Sequence, residues 1–253
     1  MKPVIVVTND DGITSKGIAV LVEVAQKFGN VVVVAPNKPQ SGMGHAITIG
    51  EPLRVDRSRM FPELDAYECS GTPADCVKLA KNHILKNQTP SLVLSGINHG
   101  SNTSVSVIYS GTMSAAIEAA IEGIPSIGFS FCNYDSNADM EHLKPWLEKV
   151  IKQVFLKPLA KGVALNVNFP AKGEIKGLKL CRQANAKWQE VFEQREDPYG
   201  KKYFWLAGDF VNLDDATDTD EWAIKNGYAS MVPCKYDLTS YDSFSQIAEE
   251  WDL

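Results

Sequence analysis

Two adjacent carboxylates, Asp10 and Asp11, end the stretch VIVVTNDD (4–11), and Gly12 follows directly. An Asp-Gly pair often marks a turn and nothing more. Consecutive residues of an extended strand point to opposite faces, so the two carboxylates can share a ligand only where the chain curls. Gly12 permits such a curl. Carboxylates held this close repel, and without a cation the repulsion raises one of their pKa values.

Three other polar segments could meet them: NKPQSGMGH (37–45), SGINHGSN (95–102) and YSGT (109–112). Ser41 offers a hydroxyl and Asn98 a neutral amide oxygen. Together with Asp10 and Asp11 they form an all-oxygen donor set, which suits magnesium, manganese or calcium, whereas zinc would recruit His or Cys. The glycines of SGINHGSN let backbone approach an anion closely. Ser110, Gly111 and Thr112 open a helix and present free N–H groups and hydroxyls, a seat for phosphate; Thr112 could equally be a plain helix cap. Of the four histidines, His45 and His99 lie in these loops and are the candidates for moving a proton. His83 and His142 fall in helical stretches and read as structural. Other catalytic patterns are missing: there is no G-x-x-x-x-G-K-[ST], G-x-S-x-G or H-E-x-x-H. GMGHAI lacks the third glycine of a dinucleotide-binding loop, with Ile47 in its place.

The elements that must position these residues alternate. Residues 3–8 read as a buried strand. Ile18, Leu21, Val22, Ala25 and Phe28 recur at helical spacing up to Gly29, and VVVVA (31–35) is a second strand. Residues 46–69 read as shorter β segments. TPADCVKLAKNHIL begins a helix with Thr72 as cap, Pro73 in the first turn and Asp75 as a capping-box acid. SLVLS (91–95), SIGFSF and VALNVNF are further strands, separated by helices over 110–123 and 141–157. Strands joined by such helices imply right-handed crossovers and a mostly parallel sheet covered on both faces, a three-layer αβα fold. Ligands then bind beyond the carboxyl ends of the strands, where the polar segments fall. Past Pro170 the pattern changes. Residues 185–222 are polar and aromatic and include the acidic run NLDDATDTDE. They read either as a β-rich arm for oligomer contacts or as an irregular excursion packed on its own domain.

A net charge of −6 opposes broad attraction to nucleic acid polymers or anionic membranes. No segment is long and apolar enough for a membrane span, and the run Val4–Val7 is too short for a secretion signal. The five cysteines include no C-x-x-C pair and read as small buried thiols in a reducing cytoplasm.

The segments VTNDDGI, APNKPQSGMGHAIT, SGTPADCV, SGINHGSN, YSGTMSAAIEA, GIPSIGFS, LNVNFP and TDEWAIKNGYASMVP, in this order, resemble the SurE (survival protein E) family of metal-dependent nucleoside monophosphate phosphatases. The resemblance spans nearly the whole chain. It implies one domain over 1–253, with a Rossmann-like core (1–170) and a C-terminal extension (171–253) that makes dimer or tetramer contacts. It also implies hydrolysis of nucleoside 5'-monophosphates, with some 3'-nucleotide or polyphosphate cleavage. One divalent cation per subunit, Mg2+ or Mn2+ with Ca2+ as a surrogate, would be held by Asp10, Asp11, Ser41 and Asn98. Asp10, Asp11 and Asn98 would be catalytic. Asn98, Asn102, Ser110, Gly111 and Thr112 would line the phosphate pocket. The chain departs from the family's usual Asn-x-Gly-x-Asp at Ser104 and Ser106, and has Val232 where Thr commonly precedes Pro233. Metal-assisted hydrolysis of a phosphomonoester is the expected chemistry. An aspartyl-phosphate route through Asp10, an exopolyphosphatase, a general acid-type phosphomonoesterase and a noncatalytic nucleotide-binding module are the alternatives.

Overall fold

The computed structural model describes residues 2–86 and 88–252. The chain begins with β1 (Val4–Thr8), α1 (Lys16–Ala25) and β2 (Asn30–Pro36), then β3 (Val55–Arg57) and β4 (Asp65–Cys69). α2 (Pro73–Leu79) continues as a wider helical turn to Ile84, and leads to β5 (Leu92–His99). α3 (Ser106–Tyr109) and α4 (Gly111–Ile121) precede β6 (Ser126–Phe131), α5 (Lys144–Leu156) and β7 (Val163–Phe169). The remainder comprises β8 (Leu178–Leu180), β9 (Ala186–Glu196), β10 (Lys202–Asn212), α6 (Asp220–Lys225), β11 (Ala229–Lys235) and α7 (Tyr241–Glu250).

Nine strands form one sheet in the order β3-β4-β2-β1-β5-β6-β7-β11-β8. Six strands from β4 to β7 run parallel; β3 and β11 are antiparallel to β4 and β7. Alternation along the strands supplies two cores. Ile5 and Val7 of β1, with Val31 and Val33 of β2, face α1 and α5, while Val4, Val6, Val32 and Val34 face α2 and α4. Burying each such side chain is worth about 1.5–3 kcal/mol, which is why these valine runs form central strands rather than edges.

From β1 the chain moves outward to β2 and β4, and later returns beside β1 to place β5, β6 and β7 on the other side. The order therefore reverses between β1 and β5, which opens a crevice beyond their carboxyl ends. The capping box of α2 forms as expected: Asp75 N–H donates to Thr72 Oγ1 (3.2 Å) and Thr72 N–H to Asp75 Oδ2 (3.0 Å). Residues 46–54, expected to hold β structure, form none; only Val55–Arg57 and Asp65–Cys69 of that region are strands. The late aromatic region is a two-stranded antiparallel ribbon, β9 with β10, so it is β-structured and not an irregular excursion. β8 and β11, by contrast, join the main sheet and extend its edge.

Candidate active site

The two carboxylates stand where β1 ends. Asn9 is fully buried, and its Nδ2 donates to Gly12 O (2.9 Å) and to Ser15 Oγ (2.7 Å). That side chain staples the bend that carries Asp10 and Asp11, and Gly12 adopts φ +91, a conformation that disfavours any other residue. Asn9 was not anticipated from the sequence. Its position directly after a buried strand was the available sign of its role.

Asp10 is only 4% exposed. Thr112 Oγ1 donates to its Oδ1 at 2.6 Å, and α4 begins directly against it. A Cβ added to Gly111 would lie 2.6 Å from Asp10 Cβ, so only glycine lets the helix start come this close. Burial pushes the Asp10 pKa up to about 6; the Thr112 hydrogen bond opposes that rise and the neighbouring Asp11 charge adds to it. Burial also raises Asp11, against the opposing effects of the His99 N–H, which donates to Asp11 Oδ2 at 3.2 Å, and the His99 ring.

Asn98 and His99 are the last residues of β5, where its pairing with β6 slips between Ser95 and Asn98. Asn98 Nδ2 donates to Gly100 O at 3.0 Å, which leaves the amide oxygen as the end it can offer. Ser41 is exposed, but its neighbour Gln40 donates its N–H to Asp10 O at 2.8 Å, bringing that loop to the aspartate bend. Ser110 caps α4 by accepting from Met113 N–H (3.0 Å). Asn102 lies deeper: its N–H donates to Asn168 Oδ1 (2.9 Å), its carbonyl accepts from Asn166 Nδ2 (2.8 Å), and its own Nδ2 donates to Ser130 Oγ (2.8 Å). Asn166 and Asn168 were not anticipated. Two amides at i and i+2 inside the apolar run VALNVNF were a readable sign, because buried amides demand partners.

His45 Nε2 meets Glu118 Oε2 at 2.9 Å, and the same buried carboxylate takes Lys78 Nζ at 2.6 Å. His45 is therefore tied to α4 rather than to the aspartates. His99 is half-buried beside Asp11, and its buried Nδ1 has no hydrogen-bond partner among the described residues.

The donors gathered here, two carboxylates with amide and hydroxyl oxygens, fit a hard divalent cation. Among the described residues no three His, Cys, Asp or Glu side chains cluster as metal ligands, so an ion at this place would rest on two carboxylates plus neutral oxygens. A surface cavity of about 710 Å³ lies elsewhere, between Pro170–Lys176 and Ile224–Gly227.

Fold and site together define a doubly wound α/β protein whose switch-point crevice is lined by carboxylate, amide and hydroxyl side chains. Comparison with known proteins narrows the class. The family described as Survival protein SurE matches residues 5–190. The 5'-nucleotidase SurE of Cytophaga hutchinsonii is 60% identical over 99% of this chain and 97% of its own length. That of Flavobacterium psychrophilum is 56% identical over 100% and 98%. The crystal structure of the SurE protein from Aquifex aeolicus superposes with a TM-score of 0.85 at 40% identity, covering 98% of this chain and 99% of the other. The chain belongs to the SurE family.

Proposed function

We propose that this protein is a divalent-metal-dependent phosphatase that hydrolyses nucleoside 5'-monophosphates to nucleoside and phosphate. The observation that carries the reading is the meeting of Asp10, Asp11, the His99 N–H at the end of β5 and the start of α4 at one strand-order reversal. The full-length likeness to proteins named 5'-nucleotidase SurE supports the substrate class.

In this reading Asp10, Asp11, Ser41 and Asn98 hold one Mg2+ or Mn2+ ion. The ion, when bound, neutralises phosphoryl charge and acidifies water. Thr112 fixes the rotamer of Asp10, and the His99 N–H fixes Asp11, so both carboxylates are oriented before substrate arrives. The first turn of α4, at Ser110 to Thr112, presents N–H groups to the equatorial phosphate oxygens, since phosphoryl transfer depends mainly on positioning and electrostatics. His99 is the nearer histidine for protonating the leaving oxygen. Asn102 supports the pocket from beneath through its amide network.

Phosphate release from AMP, GMP, 3'-AMP and short polyphosphate, with Mg2+, Mn2+ or Ca2+ and after chelation, tests the reading. Release from a 5'-nucleotide that chelation abolishes and added metal restores is expected. Asp10→Asn and Asp11→Asn should each lose at least about a hundredfold in kcat with the fold retained. Full turnover in the presence of chelator would overturn the metal assignment, and a preference for polyphosphate the substrate assignment.

The exposed β9–β10 ribbon and α7 support a homodimer or homotetramer. Five free cysteines suit a reducing cytoplasm, and among the described residues no helix is long and apolar enough to cross a membrane.

A further inference from the structure

The segment after β5, residues 100–105, joins Asn98 and His99 to α3, which ends at Ser110, the cap of α4, and it has no regular structure of its own. On one side the amides of Asn166 and Asn168 hold Asn102. On the other side stands Asp220, a carboxylate only 1% exposed and more than a hundred residues further along the chain. Its Oδ2 accepts the Ser104 N–H at 2.8 Å. Its Oδ1 accepts the N–H groups of Ala184 and Glu221, both at 2.9 Å.

Ser104 sits in the left-handed region at φ +51, and its Oγ donates to Ala184 O at 2.8 Å. The adjacent Thr103 Oγ1 donates to the Glu221 carboxylate. One buried acid thus ties three segments together: the loop after β5, the residue that leads into the β9–β10 ribbon, and the start of α6.

Capping does not explain Asp220. Thr219 already caps α6 by accepting from Trp222 N–H at 3.2 Å, and only one of the three donors to Asp220 belongs to its own helix. A carboxylate buried this deeply persists only with its hydrogen bonds made, and Ser104 holds an unfavourable backbone conformation only if its N–H and hydroxyl are both engaged.

We infer that Asp220 is a positioning residue, acting through the Ser104 N–H to hold the Gly100–Ser104 segment, and with it Asn98 and Asn102, in working geometry. The inference rests on the site reading given under Proposed function. It adds that the C-terminal part of the chain shapes the active site from outside it.

Asp220→Asn keeps the side chain's size but replaces one acceptor with a donor facing the Ser104 N–H. Hydrogen exchange followed by peptide should then show protection in residues 99–105 falling about tenfold or more, with β1, β5 and β7 unchanged. The kcat for a 5'-nucleotide should fall about tenfold, the scale seen when an outer partner of a site is lost, with a smaller change in KM. Ser104→Gly keeps the N–H and adopts the same φ freely, so it should stay within about twofold of the parent. Unchanged protection in 99–105, or loss spread evenly over the whole sheet, would overturn the inference. Should Asp220→Asn fail to fold, the parent itself carries the test: the Ser104 amide, which donates to a carboxylate only 1% exposed, must exchange as slowly as the amides of β5. Exchange of that amide at the rate of an open loop would overturn the inference. The exchange result stands even if the parent protein releases phosphate from no nucleotide, so the two readings can fail separately.

Discussion

Asp10 concentrates the conflict between stability and chemistry. Its pKa is pushed up to about 6 from 3.8, chiefly by burial, so the folded chain binds this proton more tightly than the unfolded chain does. The sign follows from linkage. The ionised carboxylate costs stability at any pH above about 6, and the cost fades as pH falls through the window down to 3.8. About two pKa units correspond to roughly 3 kcal/mol, and Asp11, also raised by burial, acts in the same direction. Asp10→Asn keeps an acceptor for Thr112 and removes the charge. In chelator at pH 8 the variant should therefore melt several degrees above the parent, with little difference at pH 4. Added Mn2+ should raise the parent's melting temperature at pH 8 and leave the variant's unmoved. A melting series from pH 4 to 8, with and without metal, checks both; a variant less stable than the parent at pH 8 would refute the account. The sequence already showed the pair and its awkward charge. It did not show Asn9 bracing the bend, because that role depends on which backbone carbonyl lies within reach.

At the scale of elements, the strands and long helices up to β7 were legible because their periods are. Valine runs and i, i+3, i+4 spacing survive any tertiary context that buries them. The loop from Pro36 to Val55 was misread at 46–54 because its partners are distant in sequence. AITI alternates like a strand, yet Thr48 donates both N–H and Oγ1 to Asp75, and Ala46 O accepts from Thr72 Oγ1 at 2.8 Å. The same loop is latched to α4 by His45 on Glu118. Burial would raise the Glu118 pKa, but the hydrogen bonds from His45 and Lys78 outweigh it and leave the carboxyl below its usual range. This geometry points to His45 as a latch for the Ser41 loop rather than a carrier of the proton. His45→Ala should lower kcat/KM about tenfold while both limbs of the pH–rate profile keep their positions, and the fold should persist because Lys78 still pairs Glu118. His45→Gln, which can still donate to Glu118, should recover most of the loss. Disappearance of one limb in either variant would mean that His45 carries the proton after all.

For the molecule as a whole, the aromatic content of 185–222 pointed to an arm. Its attachment was not legible, because β8 and β11 bracket the ribbon and insert into the main sheet while the ribbon itself stays out. A two-stranded hairpin is marginal alone in water, and β9–β10 has only limited support at its base, where Trp188 packs edge-on to Phe210 at 5.4 Å and reaches Ser106. Beyond that base its apolar side chains are exposed on both faces: Phe192 and Leu206 are cross-strand partners on one, and Trp205 lies on the other at 58% exposure. A ribbon apolar on both sides is stabilised if a second copy of the chain covers it, and the net charge of −6 makes casual association with acidic surfaces unfavourable. Phe192→Asp with Leu206→Asp places two like charges directly opposite each other on that face. Light scattering after size exclusion should show the parent at a multiple of one chain's mass and the double variant shifted toward the single chain. Circular dichroism should stay that of the intact αβα core, since both residues are exposed on the ribbon, outside the nine-stranded sheet. A parent that elutes as a single chain at micromolar concentration would remove the assembly role. A double variant that keeps the parent's mass would place the contact on another surface, with the exposed Tyr241, Phe244 and Ile247 of α7 the next to substitute.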